Sequence, residues 1–302
     1  MTRPSRARRS QLSVPGSSEK MLMKAAQSRA DHVFCDLEDA VAPTMKVDAR
    51  QKIVHALNNY DWGQKVRCVR INDVTTEWCH GDIIEVVEGA GQNLDTIMLT
   101  KPYTAADVLF LDRMLTQLEK KLKLDRKIGI EVLIEEVQAL QNVEAIATCS
   151  ERMECLIFGM GDYSGSQGID TKTIGSSEGY PGDIFHYARW RITMASRAAG
   201  IDAVDGPFAN FKDEEGYRRE AIRSRSLGMV GKWAIHPSQI EPALDVFSPS
   251  QKEIDWARKA EVAYREAEAQ GLGAVQVDGV MIDVAVLRLI GNVIKKAELY
   301  GM

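Results

Sequence analysis

The run Lys127-Ile-Gly-Ile-Glu-Val-Leu-Ile-Glu135 is apolar along most of its length, and Cys155-Leu-Ile-Phe-Gly-Met-Gly-Asp162 repeats its shape. Apolar runs without polar alternation mark strands buried on both faces, as in a parallel sheet covered by helices. Each run ends in a carboxylate. Adjacent parallel strands that end in acids put two oxygen ligands on one rim of a sheet, which is how a hard cation such as Mg²⁺ is held. An acid in either place could equally cap the helix that follows. These two runs alone leave both readings open.

Along the rest of the chain, strand and helix patterns alternate. Gln11-Leu-Ser-Val14 is the first strand, stopped by Pro15-Gly16, with Ser17 expected to cap the next helix. Val33-Phe-Cys-Asp-Leu-Glu38, Val66-Arg-Cys-Val-Arg-Ile71 and Thr96-Ile-Met-Leu-Thr100 are the second, third and fourth. The two opening runs are the fifth and sixth. Ala203-Val204 leads through Asp205-Gly-Pro-Phe208 as the seventh, and Lys232-Trp-Ala-Ile235 is the eighth. Ser238 with Glu241 has the spacing of a capping box for the helix after it. Eight strands, most followed by a helix, predict an α/β fold: a (β/α)8 TIM barrel over residues 1–245. A doubly wound open sheet competes, but no G-x-G-x-x-G follows the first strand.

Residues 250–302 are left over and predict a helix–hairpin–helix extension. Asp278-Gly279 is a strong hairpin dipeptide, and Asp283 opens a last helix bearing Val286, Leu289, Ile290 and Val293. A tail this small buries little alone. It must dock on its own barrel or on a neighbour's. The segment from Tyr163 to Gly182 is rich in Gly and Ser and predicts a long loop, a lid over substrate or a tolerated insertion.

Glu38, Asp39, Arg70, Lys101, Glu135, Asp162 and His236 all fall at C-terminal strand ends, the rim that carries a barrel's active site. Glu135 and Asp162 are the candidate metal ligands, with Glu38 and Asp39 orienting metal-bound water. Arg70 ends a buried strand and needs an anion, either a structural carboxylate or a substrate oxygen. A net charge of −5 argues against nucleic acid as a general partner. The scattered, odd-numbered cysteines Cys35, Cys68, Cys79, Cys149 and Cys155 indicate reduced thiols and a cytoplasmic setting. No apolar run reaches membrane-spanning length, and the arginines near the N-terminus precede no apolar segment of a secretory signal.

Arg9-Ser10 with Pro15-Gly16, Asp36-Leu-Glu-Asp-Ala-Val41, Val69-Arg-Ile-Asn72, Leu133-Ile-Glu135 and Asp205-Gly-Pro-Phe208 occur in this order. Gly231-Lys-Trp-Ala-Ile-His-Pro237 and Val277-Asp-Gly-Val-Met-Ile-Asp283 follow. In these motifs, from Arg9 to the final helix, the chain resembles the citrate lyase β-subunit-like (HpcH/HpaI aldolase/citrate lyase) family, and within it the malyl-CoA/β-methylmalyl-CoA lyases. The resemblance implies a carbon–carbon lyase acting on acyl-CoA thioesters and α-oxo acids. Mg²⁺ would be its cofactor, with Mn²⁺ as a substitute. It further implies that Glu135 and Asp162 bind the metal, Arg70 contacts the reacting oxygens, and Asp283 moves a proton in a neighbouring subunit's site within a homotrimer or homohexamer. Ser13, Ser18, Lys24, Gly161, Ile235 and His236 would lie along the substrate and CoA. Ser13 and Ser18 depart from the pattern, which often has an aromatic and a basic residue there. Three rival outcomes keep the same site: a citramalyl-CoA lyase, a malyl-CoA thioesterase, and a carrier-dependent citrate lyase β-type subunit.

Overall fold

The apolar runs become strands because helices cover them outside and side chains fill the space they enclose. In the computed structural model the described residues are 3–169 and 182–302. Strands β1 (Ser10–Pro15), β2 (His32–Asp36), β3 (Val66–Arg70), β4 (Thr96–Leu99), β5 (Gly129–Ile134), β6 (Met153–Phe158), β7 (Asp202–Asp205) and β8 (Gly231–Ala234) form a closed parallel barrel. β8 returns to β1 with Gln11 beside Trp233. Helices α1 (Glu19–Ala26), α2 (Lys46–Asn59), α3 (Cys79–Ala90), α4 (Ala105–Leu122), α5 (Val137–Gln141), α6 (Val143–Thr148), α7 (Met160–Gln167), α8 (His186–Ala199), α9 (Glu214–Leu227) and α10 (Ile240–Phe247) surround it. On α4, Val108, Leu111, Leu115 and Leu118 are buried, as their spacing predicts.

The barrel interior has two parts. Toward the rim, Phe34, Cys68, Met98, Leu133, Cys155, Ile157, Val204 and Trp233 pack together. At the other end a buried polar knot surrounds Glu131. Its Oε1 accepts from Arg8 Nη2 (3.3 Å), His32 Nε2 (3.0 Å) and Thr96 Oγ1 (3.1 Å), and its Oε2 from Gln11 Nε2 (3.2 Å). His32, Cys68 and Glu131 have the chemistry of metal ligands. The Glu131 carboxylate is already saturated with donors, and Arg8 supplies the positive charge, so the group is a structural knot.

Several strand ends lie earlier than the apolar runs suggest. β2 stops at Asp36 because that side chain turns back to accept the N–H groups of Glu38 and Ala40 (both 2.9 Å). β6 stops at Phe158, and Asp162 sits in the first turn of α7. Part of the segment expected to be a loop, Tyr163 to Gln167, is therefore helical, while residues 170–181 lie outside the described residues. The cap of α1 is Ser18, not Ser17. The expected Ser238–Glu241 capping box is absent: Ser238 bonds His236, and Glu241 pairs with Arg29.

The tail comprises α11 (Gln251–Ala269), β9 (Val275–Val277), β10 (Val280–Ile282) and α12 (Val284–Leu299). Asp278 (φ +50°) and Gly279 (φ +83°) make the hairpin turn, both with the positive φ that type I′ requires. Ile290, with Val286 and Val293, packs on α11 of the same chain, so most of the α12 face expected for docking is used internally, while Leu289 stays exposed. Beyond α12, Tyr300 lies under the Arg9 guanidinium at 4.1 Å, fixing the end of the tail to the N-terminal end of its own barrel. Among the described residues no helix is long and apolar enough to cross a membrane.

Candidate active site

The rim of the barrel gathers five carboxylates and two cations. β3 ends in Arg70, whose Nε and Nη2 donate to Asp36 Oδ1 (2.7 Å) and Oδ2 (2.6 Å). Its guanidinium carbon stands 5.6 Å from the Phe34 ring centroid and 5.5 Å from that of Trp233. Trp233 is itself fixed by its indole N–H to Gln11 (2.9 Å). The aromatic pair is thus a floor and Asp36 a wall. The two bonds to Asp36 use two of the five guanidinium N–H donors. Burial alone would raise the Asp36 carboxyl, but Arg70 and the two backbone N–H groups outweigh it and hold Asp36 below the ordinary carboxylate range.

Glu38 and Asp39 follow β2, on a turn clamped by Lys46. The Lys46 ammonium donates to the carbonyls of Leu37 and Glu38 (2.8 Å each) and to Asn72 Oδ1 (2.6 Å). Glu135, one residue past β5, is almost fully buried and takes the backbone N–H of Lys101 at 3.0 Å. Gly159 makes room for it, because a Cβ there would lie 2.6 Å from that of Glu135. Burial pushes the Glu135 carboxyl well above its usual range; Glu38 and Asp162 add repulsion, and Lys101 pulls it back.

The Lys101 ammonium ties these acids together. It bonds Glu38 and lies 3.4 Å from Asp39, 3.8 Å from Asp162 and 4.0 Å from Glu135. Among the described residues, Asp36, Glu38, Asp39, Glu135 and Asp162 thus outnumber the cationic side chains beside them, Arg70, Lys101 and, under the turn, Lys46. Glu38 Oε2 is buried and accepts no hydrogen bond, although Arg70 Nη1 is 3.1 Å away. Excess negative charge, an orphaned carboxylate oxygen and an all-oxygen donor set fit a hard divalent cation.

This geometry is assembled in a chain whose residues 9–237 match the HpcH/HpaI aldolase/citrate lyase family. The chain belongs to that family. It is 40% identical over 306 residues to the L-malyl-CoA/β-methylmalyl-CoA lyase of Rhodobacter capsulatus, covering 98% of this chain and 96% of the relative. It is 33% identical to citrate lyase subunit β of Escherichia coli K12, covering 99% and 96%. Among solved structures it is similar to protein CitE of Mycobacterium tuberculosis in complex with magnesium, acetoacetate and coenzyme A. There the TM-score is 0.74 and the identity 26%, over 96% of this chain and 97% of the other.

The other expected site residues of this HpcH/HpaI chain are dispersed. Ser13 shares a β1 face with Gln11 and is half-buried. Ser18 is engaged as the cap of α1, and Lys24 is exposed in the last turn of that helix. Gly161 is exposed on α7, with open space where a side chain would be. The Ile235 N–H is taken by Gln239 Oε1 (2.8 Å), so only its carbonyl is free to meet a ligand. His236 stacks on Phe211 (4.6 Å, 22°). Asp283 caps α12, accepting from Ala285 and Val286 (2.9 Å each), and none of the rim residues is among its hydrogen-bond or ion-pair partners. Sequence reasoning missed Asp36, Lys46 and Asn72. Asp36 and Asn72 lay inside motifs already noticed; nothing in the sequence marked Lys46.

Proposed function

We propose that this protein is a Mg²⁺-dependent carbon–carbon lyase that reversibly cleaves L-malyl-CoA or β-methylmalyl-CoA to glyoxylate and acetyl-CoA or propionyl-CoA. The reading rests on one observation: a carboxylate-rich rim beside a buried arginine, in a chain 40% identical along nearly its full length to a lyase of that name. Glu135 and Asp162 would hold the metal, with Glu38 and Asp39 orienting its water. When bound, Mg²⁺ or Mn²⁺ supplies Lewis-acid polarisation of the oxo-acid carbonyl.

The chain's own groups handle charge and protons. In cleavage the substrate hydroxyl gives its proton to water at the rim and its oxygen becomes the oxo-acid carbonyl, while the bond between the hydroxyl carbon and the thioester α-carbon breaks and its electron pair moves through the α-carbon onto the thioester oxygen. Arg70, held rigid by Asp36, Phe34 and Trp233, directs its remaining N–H donors at that enolate oxygen. Asp283 of a second copy protonates the α-carbon and removes that proton in condensation. Residues 1–245 would then be the catalytic domain and 250–302 a lid on the neighbour, in a cytoplasmic homotrimer or homohexamer. Ser13, Ser18, Lys24, Gly161 and the Ile235–His236 backbone would line the path of substrate and CoA.

Purified protein incubated with malyl-CoA and Mg²⁺ should release glyoxylate, trapped as its phenylhydrazone, in step with acetyl-CoA. Free thiol without glyoxylate would mark a thioesterase instead. Activity on citramalyl-CoA in preference would give pyruvate. The 33% identity to citrate lyase subunit β favours one further reading, a subunit acting on a carrier-bound acyl group. Inertness toward every free CoA ester would support it.

A further inference from the structure

Lys101 is the residue that the metal-site reading leaves without a task. Its backbone is at φ +48°, a left-handed conformation rare for lysine, and its N–H is bonded to Glu135. Its side chain is 22% exposed, and the ammonium contacts both candidate metal ligands as well as Glu38 and Asp39. Backbone and side chain thus both face the carboxylate cluster. Glu38 is the nearest partner and Glu135 the farthest.

We propose that Lys101 is a tethered counter-cation that sets which ions the site admits. Without metal, its ammonium offsets part of the cluster's negative charge and keeps the rim assembled. A divalent ion enters by displacing the ammonium from Asp162 and Glu135 toward Glu38 and Asp39, which remain to receive it. A free monovalent cation has no charge advantage over the ammonium and lacks the tether's high local concentration. A divalent ion carries twice the charge and gains more from the same carboxylates. The site therefore excludes monovalent ions and binds divalent ones with moderated affinity. This inference rests on the metal-site reading.

Mn²⁺ binding followed by electron paramagnetic resonance, in wild type and Lys101→Met, tests it. The variant should bind Mn²⁺ about tenfold tighter or more, since a competing charge is gone. NaCl added at constant ionic strength, in place of a bulky organic salt, should weaken Mn²⁺ binding several-fold in the variant alone. Reductive methylation of wild-type protein with ¹³C-formaldehyde gives a readout without a variant: Mg²⁺ should increase labelling of Lys101. Should Lys101→Met not fold without metal, this labelling decides. Wild type that binds Mn²⁺ beside a variant that binds it no tighter, or labelling unmoved by Mg²⁺, overturns the inference alone. Wild type that binds no Mn²⁺ overturns the metal reading and the inference together.

Discussion

Arg70 and Asp36 meet through two parallel bonds of 2.7 and 2.6 Å, at the ends of adjacent parallel strands that place the two residues side by side. The pair is buried, and the guanidinium lies over two aromatic rings. Asp36 fixes the plane of the guanidinium and, through Glu38 N–H and Ala40 N–H, the exit of the chain from β2. One carboxylate thus orients both the arginine and the turn that presents Glu38 and Asp39.

Asp36→Asn should therefore act on chemistry and stability at once. The amide cannot accept both guanidinium bonds and leaves a buried charge undercompensated. We expect a loss of about 3–5 kcal/mol in urea unfolding and a fall in kcat of roughly 100-fold or more, the scale of losing one oriented oxyanion donor. The KM for the CoA ester should change little. A variant with wild-type kcat would show that Asp36 does not position Arg70.

The metal-free protein should gain stability from Glu135→Gln. Burial raises the Glu135 carboxyl, so the folded state resists its ionisation. A raised acid costs stability progressively as pH climbs from the unfolded carboxylate value, about 4.3, toward the folded one. At neutral pH the metal-free variant should melt higher than wild type. Mg²⁺ at about 100 times its Kd should stabilise wild type by roughly 2.7 kcal/mol and leave the variant unmoved. Calorimetric scans with and without Mg²⁺ check both halves, and a Mg²⁺ response retained in Glu135→Gln removes that residue from the ligand set.

The barrel was legible because its signal is repeated: each of the eight apolar runs became a strand, and the motif residues Arg70, Glu135 and Asp162 stand on one rim. Boundaries were less legible, since what ends β2 is a side-chain bond from Asp36 to N–H groups downstream, which periodicity does not encode. The sequence places Lys101 on the rim and no further; its central place needs the long-range closure that brings β2, β4, β5 and β6 together. The apolar face of α12 went largely to α11 and the hairpin of its own tail, because a small tail buries its apolar side chains against one another first.

On the outer face of β7, Asp205 binds three groups between the barrel and its outer helices: Arg189 Nε (2.9 Å), Ser224 Oγ (2.6 Å) and Lys232 Nζ (2.7 Å). Burial alone would raise its carboxyl, but Arg189 and Lys232 dominate and depress it well below the ordinary range. For a depressed acid the stability is fully present above the unfolded value, about 3.9, and is lost as pH falls through the folded one. Asp205→Asn should lose about 3–5 kcal/mol at pH 7 and show a shallower acid-unfolding transition below pH 4. An unaltered acid limb in circular dichroism would count against this account.

Asp283 offers the last prediction, because its present partners are local. Its carboxylate caps α12 by accepting from Ala285 and Val286, and the far end of the tail is fixed to its own barrel by Tyr300 under Arg9. Val280, Met281, Val284 and Leu289 around it are exposed apolar side chains, suited to covering by a second copy. Asparagine caps helices about as well as aspartate. Asp283→Asn should therefore keep the tail folded while abolishing exchange of acetyl-CoA methyl protons with D₂O. Wild-type exchange in that variant excludes the residue as the proton carrier. The sharper test mixes inactive Asp162→Ala with inactive Asp283→Asn after reversible dissociation. In a closed symmetric oligomer with shared sites, some interfaces pair an intact metal rim with an intact Asp283, and activity returns. If each chain completes its own site, every site carries one lesion, and verified mixed oligomers stay inactive.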